Sequence, residues 1–217
     1  MTTTRRVPPG RAGRLRLRRK LDAANRGADL LERKLRVLRA EHQRRLDSEG
    51  AATRAWHERS REAEQWSLRG LLLSGERALD MACPAAAAQV DVEWATSMGV
   101  RHPAAVSYAA AVRAATEPLP RNTALAHAQR AYQDAVRAAA EYAVARAATR
   151  LVGAEVARTR QRVRALRRHW IPQLTEVLAA ADLALEQAEH EDFVRRRWAT
   201  EARRTACWRG DGRRRQP

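Results

Sequence analysis

From Leu17 onward, apolar residues recur at alternating spacings of four and three: Leu17, Leu21, Ala24, Ala28, Leu31, Leu35 and Leu38. Polar and charged residues occupy most of the positions between them. This heptad stripe predicts a helix that buries one narrow seam against a second helix. The next position in register is His42, after which the stripe weakens while helix formers continue to about Leu73. A second stripe near the other end has a different rhythm. Val163, Leu166, Trp170, Leu174, Val177, Ala181, Leu185 and Ala188 are spaced 3, 4, 4, 3, 4, 4 and 3. Such an eleven-residue repeat keeps a seam nearly straight or slightly right-handed.

The helix breakers divide the chain around these stripes. Pro8-Pro9-Gly10 predicts a non-helical lead-in over 1–13, followed by an N-terminal helix over 14–73. Gly75, Pro84, Gly99, Pro103, Pro118 and Pro120 gather in a middle region, 74–122, where Val90, Val92 and Trp94 alternate before a glycine. That alternation predicts a short β-hairpin or an irregular cap. A C-terminal helix is expected over 123–204, capped by Asn122 or Thr123, with a basic disordered tail over 205–217. Gly27 interrupts the first helix, kept either for a close backbone approach or by simple tolerance. Pro172 removes one backbone donor inside the second helix, and the seam continuing beyond it predicts a kink rather than an end. The fold class is therefore all-α. Two long helices, each of about 50 or more residues and roughly 75 Å long, form an antiparallel coiled coil beside a shorter middle region.

Composition supports long helices. Only 10 glycines, 8 prolines, one Phe and three Tyr occur among 217 residues, and alanine, leucine, arginine and glutamate are strong helix formers. The net charge of +17 is unevenly spread. Residues 1–20 carry eight basic groups and no acid, and residues 195–217 carry nine arginines against two acids. Between them, 25 basic side chains face 23 acidic ones. Antiparallel pairing would bring the two basic ends together, which calls for a partner of negative potential: nucleic acid, anionic lipid or an acidic protein surface. Two distant cysteines, Cys83 and Cys207, fit a reduced cytosolic protein without a disulfide framework. No apolar run approaches the ~20 residues needed to span a bilayer, and no secretory signal core is evident.

Catalytic chemistry is poorly served. The six histidines show no paired metal spacing, and neither a glycine-rich phosphate loop nor a CxxC motif occurs. His190 in EHED (189–192) reads as part of a solvated helix face, where Glu191–Arg195 and Asp192–Arg196 are spaced for i,i+4 ion pairs. The expectation is no catalytic residue, no cofactor and no metal. Six tryptophans are unusual beside a single Phe; Trp170 lies on the seam, while Trp198 and Trp208 could stack on bases or pack into a protein socket. Arg160, Arg164 and Arg168 form a stripe opposite the seam, either a solvated face or a phosphate-binding one.

Two segments carry a family likeness. VPPGRAGRLRLRRKLDAANRGADLLERKLRVL (7–38) has V-x-P-x-R, a leucine and basic run, an A-x-x-G step and LL-x-x-K. In TRQRVRALRRHWIPQLTEVLAAADLALEQAEHEDFVRRR (159–197), Thr159, Arg162, Val163, Ala165, Leu166, Ile171, Pro172, Glu191 and Phe193 fall on the second pattern. Together they resemble the D subunit of the V-type and archaeal-type rotary ATPases. Arg164 stands where that family usually has asparagine and Gly10 where threonine is common, and the middle matches little beyond GV-x-x-P at Gly99–Pro103.

The resemblance implies a non-catalytic central-stalk rotor that transmits torque between ATP turnover and ion translocation. It implies an axle within the catalytic and nucleotide-binding A and B subunits of the head, a neighbouring F subunit in the stalk, and a C or d subunit forming the membrane-ring socket. The chain would sit peripherally on the cytoplasmic face, without inserting into the membrane or binding nucleic acid directly. Arg11, Arg14, Arg18, Arg195, Arg196 and Arg197 would form the basic axle tip facing the head. The reading that needs no family is a basic coiled-coil protein binding nucleic acid or an acidic protein partner.

Overall fold

The computed structural model describes residues 10–82, 86–115, 119–120 and 122–212, with side chains given to Arg203 except at 80–82. Helix α1 spans Gly10–Ser74, α2 Glu76–Ala82, α3 Thr123–Ala165 and α4 Ile171–Gly212. A π-helical turn, Leu166–Trp170, lies between α3 and α4, and strands β1 (Gln89–Ser97) and β2 (Val100–Ala109) form a hairpin. Helix α1 begins at Gly10, directly after the two prolines, so residues 10–13 are helical rather than part of the lead-in. Likewise 205–212 continue α4 instead of forming a tail. The remaining tail residues 213–217, the lead-in 1–9 and Cys83 lie outside the described residues, as does the side chain of Cys207.

The chain divides into two compact units, one of Met1–Leu31 with Arg162–Pro217 and one of Glu32–Gln161. In the first, α1 and α4 pair antiparallel: Arg11 meets Glu189, Arg14 meets Asp182 and Asp29 meets Arg167. Leu17, Leu174 and Ala181 form its core, with Leu21, Ala24, Val177 and Leu178 packed against them. Burying a leucine contributes about 1.5–3 kcal/mol, so Leu17 and Leu174 dominate this seam.

In the second unit α1 and α3 also run antiparallel. Lys34 pairs with Glu155, Trp56 stacks on Tyr142, and Trp66 stacks on His127. Positions 42, 45, 49, 52, 56, 63, 66 and 70 of α1 keep the heptad register and are all at least half-buried. The stripe therefore does not fade after His42; it changes residue type. Asn122 caps α3 by accepting the Leu125 N–H at 2.7 Å, and its amide donates to the Gly70 carbonyl and the Ser74 hydroxyl. Gly75 ends α1 with φ of +71°, a conformation glycine adopts freely.

The hairpin resolves the alternative left open for the middle region. Met98 and Gly99 form its two-residue turn with φ of 51° and 80°, the positive values that suit the right-handed twist of paired strands. Pairing proceeds from Ser97↔Val100 to Gln89↔Ala109, with a register shift between Glu93 and Trp94 that leaves Ala104 beside Pro103 as the surplus residue. A bulge next to proline is expected, because proline has no N–H for the ladder.

Candidate functional site: the paired helices and the basic segments

On the N-terminal helix the predicted seam residues Leu17, Ala28, Leu35 and Leu38 are buried, while Leu21, Ala24 and Leu31 are half-buried. Gly27 faces open space, which favours tolerance over close approach. On the C-terminal segment Leu174 and Ala181 are buried and Val163, Leu166, Val177 and Leu185 half-buried. Trp170 is not on the seam: it is 38% exposed, and Ile171 is half-buried in its place.

The π turn explains this shift. The Ile171 N–H donates to the Leu166 carbonyl, five residues back instead of four. One surplus residue is thereby taken up, and each residue turns an α-helix by about 100°. After the turn the buried and half-buried positions are 171, 174, 177, 178, 181, 182 and 185. The predicted positions Leu174, Val177, Ala181 and Leu185 are all among them. Pro172 follows directly, and the widened turn relieves the clash its ring would make with the Arg168 carbonyl. The helix continues beyond Pro172 to Gly212.

Sequence reasoning missed the seam of α3. Ala124, Ala128, Ala131, Ala135 and Ala138 are buried and spaced 4, 3, 4, 3. The heptad is present in the sequence, but alanines on other faces of α3 hide it. Gly70 shows how closely the helices approach there, since a Cβ on it would lie 2.8 Å from Leu125 Cγ.

The basic residues assigned to the tip are largely engaged within the chain. Arg11 pairs with Glu189 at 2.7 Å and Arg14 with Asp182 at 2.5 Å. The hydrogen bond and charge of Glu189 raise the Arg11 guanidinium above its ordinary value. Arg195 bridges to both Glu191 and Asp192, so Asp192 faces Arg195 rather than the expected Arg196, and Arg197 pairs with Glu201. Arg18 and Arg196 are exposed. Each described side chain from Glu186 to Arg203 is exposed, including Phe193 at 64% and Trp198 at 72%. Arg160, Arg164 and Arg168 are exposed as well.

A buried polar relay ties the hairpin to α1. His102 is 1% exposed; its Nδ1 lies 3.1 Å from the Pro103 carbonyl and its Nε2 3.4 Å from Arg45 Nη2. Arg45 donates, so Nε2 accepts and Nδ1 carries the proton. Arg45 Nε also donates to Glu41 at 2.9 Å, and this bond holds the Glu41 carboxyl below its ordinary value against the opposing effect of burial. Among the described residues no group of three or more His, Cys, Asp or Glu is gathered for a metal, and no helix is long and apolar enough to cross a membrane.

Residues 14–201 match the sequence profile of the family described as the D subunit of ATP synthase. The D subunit of a V-type ATP synthase from Anaeromyxobacter sp. (strain Fw109-5) is 32% identical over 200 residues, which covers 88% of this chain and 91% of the relative. With its paired terminal segments and a match reaching almost from end to end, the chain belongs to the family of ATP synthase D subunits.

Proposed function

We propose that the protein is the non-catalytic central-stalk rotor of a V/A-type ATPase, carrying torque between ATP turnover in the head and ion translocation in the membrane ring. The observation that carries this reading is the antiparallel pairing of α1 with α4, cross-linked by Arg11–Glu189, Arg14–Asp182 and Asp29–Arg167 over a leucine seam. Torque transmission requires a helix pair whose strands cannot slide past each other, and ion pairs flanking a packed seam fix that register.

The segment of α4 from Glu186 to Arg203 supports a place for the A and B subunits of the head. Phe193 and Trp198 offer exposed apolar anchors on either side of Arg195, Arg196 and Arg197, and large aromatics beside arginine are the side chains on which protein contacts depend most. Arg196 supplies positive charge there, a non-directional attraction suited to a contact that must slip as the rotor turns. The hairpin unit would meet the F subunit of the stalk and the C or d subunit of the membrane-ring socket.

Co-expression with the head and stalk subunits tests the assignment. A stable assembly holding this chain in the central cavity is expected, with truncation of 195–217 uncoupling ATP turnover from ion transport while the helix pair stays folded. Salt-sensitive DNA binding with no assembly onto the head would overturn it in favour of a basic nucleic-acid-binding coiled coil.

A further inference from the structure

The hairpin rests on the helices through its second strand. In β2, His102 and Pro103 are buried, and Val106 and Tyr108 are half-buried. His102 meets Arg45 of α1, and Tyr108 lies beside Arg137 of α3. In β1, by contrast, every residue from Gln89 to Thr96 is exposed. Among the described residues no backbone bond joins β1 to any segment other than β2. The outer side of β1 is therefore an open sheet edge.

In an antiparallel pair, alternate residues turn their N–H and C=O groups away from the partner strand. Counting from Ser97↔Val100, which closes the two-residue turn, the β1 residues whose backbone groups point outward are Thr96, Trp94, Val92 and Val90. Proline opposite Trp94 agrees with this phase, because a pair without ladder bonds needs no N–H from it. Each of the four residues offers an unpaired donor and acceptor, which is a template for an added strand.

The side chains specify which strand fits. Val90, Val92 and Trp94 are exposed apolar residues that alternate with Asp91 and Glu93. Both carboxylates are exposed, and among the described residues neither has a hydrogen-bond or ion-pair partner. No basic residue occurs in 89–97, so within a chain of net charge +17 this strand has the opposite sign. Arg101 of β2 lies over the Trp94 ring at 5.0 Å, toward the turn. A second copy of β1 is a poor occupant. Any pairing that sets its valines on the valine face also sets its carboxylates on the carboxylate face, where like charges repel. Phosphate backbones are repelled for the same reason.

We propose that the outer edge of β1 docks a strand of a partner protein in which apolar residues alternate with lysine or arginine. The partner's backbone pairs with Val90, Val92, Trp94 and Thr96, and its cations sit beside Asp91 and Glu93. This contact makes no use of the rotor reading, so its failure would leave that reading untouched.

The test is amide hydrogen exchange, followed by NMR on the full chain at low ionic strength. The probe is a blocked octapeptide of alternating valine and lysine. At saturation the amides of Val90, Val92, Trp94 and Thr96 should exchange roughly tenfold more slowly, while those of Asp91, Glu93 and Ala95 keep their rates. Because the whole chain is strongly cationic, non-specific attraction would favour a valine–glutamate octapeptide, which should leave these amides unchanged. Asp91→Lys and Glu93→Lys should each weaken binding roughly tenfold. Val92→Pro deletes an outward N–H and no ladder bond, so it should abolish binding while the amide shifts of β2 persist. Uniform protection, equal protection by the glutamate peptide, or no protection by either overturns the proposal. So does alternate protection that grows with protein concentration alone, which would assign the edge to a second copy.

Discussion

The two units solve the same problem, two antiparallel helices sharing one seam, with different side chains. The first relies on leucine: Leu17 and Leu174 are buried across from each other, with Leu21 and Leu178 beside them. The second relies on alanine, as Ala63 sits against Ala131 and Ala135, while tryptophans stack at the margins of the interface. A leucine seam gains its stability from apolar area removed from water. An alanine seam removes less area per residue but lets the backbones come close, so dispersion contacts and flanking aromatic stacks take a larger share. The two should therefore fail in opposite ways, one by truncation and one by enlargement.

Leu174→Ala should produce the largest effect, about 2–5 kcal/mol, because it leaves a cavity beside Leu17 in the core of the first unit. Guanidinium unfolding followed by circular dichroism reads it out. Trp170→Ala serves as the control on the π turn: if the inserted residue does carry Trp170 off the seam, it should cost less than half as much. Ala63→Leu should cost about 1–3 kcal/mol by overpacking, since Ala63 is 0% exposed. The same enlargement at Ala24, which is half-buried, should be better tolerated. An alanine seam as forgiving as the leucine seam would remove the distinction between the units.

The polar relay of the second unit gives a smaller, pH-dependent effect. Glu41 is held below its ordinary value of 4.5 in the folded chain, chiefly by the hydrogen bond from Arg45. Between the folded value and 4.5 the unfolded chain binds more protons, so stability rises with pH in that window. The contribution is fully present above 4.5 and is lost as pH falls through the folded value. Glu41→Gln should flatten this part of the acid limb in thermal unfolding scans and leave the alkaline side unchanged. Least of all should change in Arg11→Gln. Arg11 and Glu189 are both solvent-exposed, with side chains 84% and 58% accessible, and exposed pairs add little to stability. No measurable shift in the unfolding midpoint is expected there, whereas rotor coupling is the readout that could respond.

Most of the N-terminal seam was legible because leucine at heptad spacing has no better use than burial. Leu17, Leu35 and Leu38 are buried as the period requires. The α3 seam was not legible for a composition reason. Where alanine occupies many faces of a helix, the buried alanines at 124, 128, 131, 135 and 138 cannot be told from their neighbours by hydrophobicity. Trp170 failed for another reason: periodicity assumes a constant 100° per residue, and the π turn breaks that assumption at the stretch just before Pro172. The hairpin was half legible, since alternation at Val90, Val92 and Trp94 indicated a strand, while the bulge between Glu93 and Trp94 depended on how Pro103 met the ladder.

By itself the sequence determined two long helices, the heptad spacing of the N-terminal seam, a cap at Asn122 or Thr123 and the concentration of charge at both ends. These follow from local propensity and from a period that any α-helix must obey. The tertiary structure decided which arginines are engaged, because Arg14 needs Asp182 opposite it and Arg195 had two acids to choose from. It also decided that the seam steps from Leu166 to Ile171. Those outcomes depend on what faces each residue across a few ångströms, a relation that spacing along one chain does not encode.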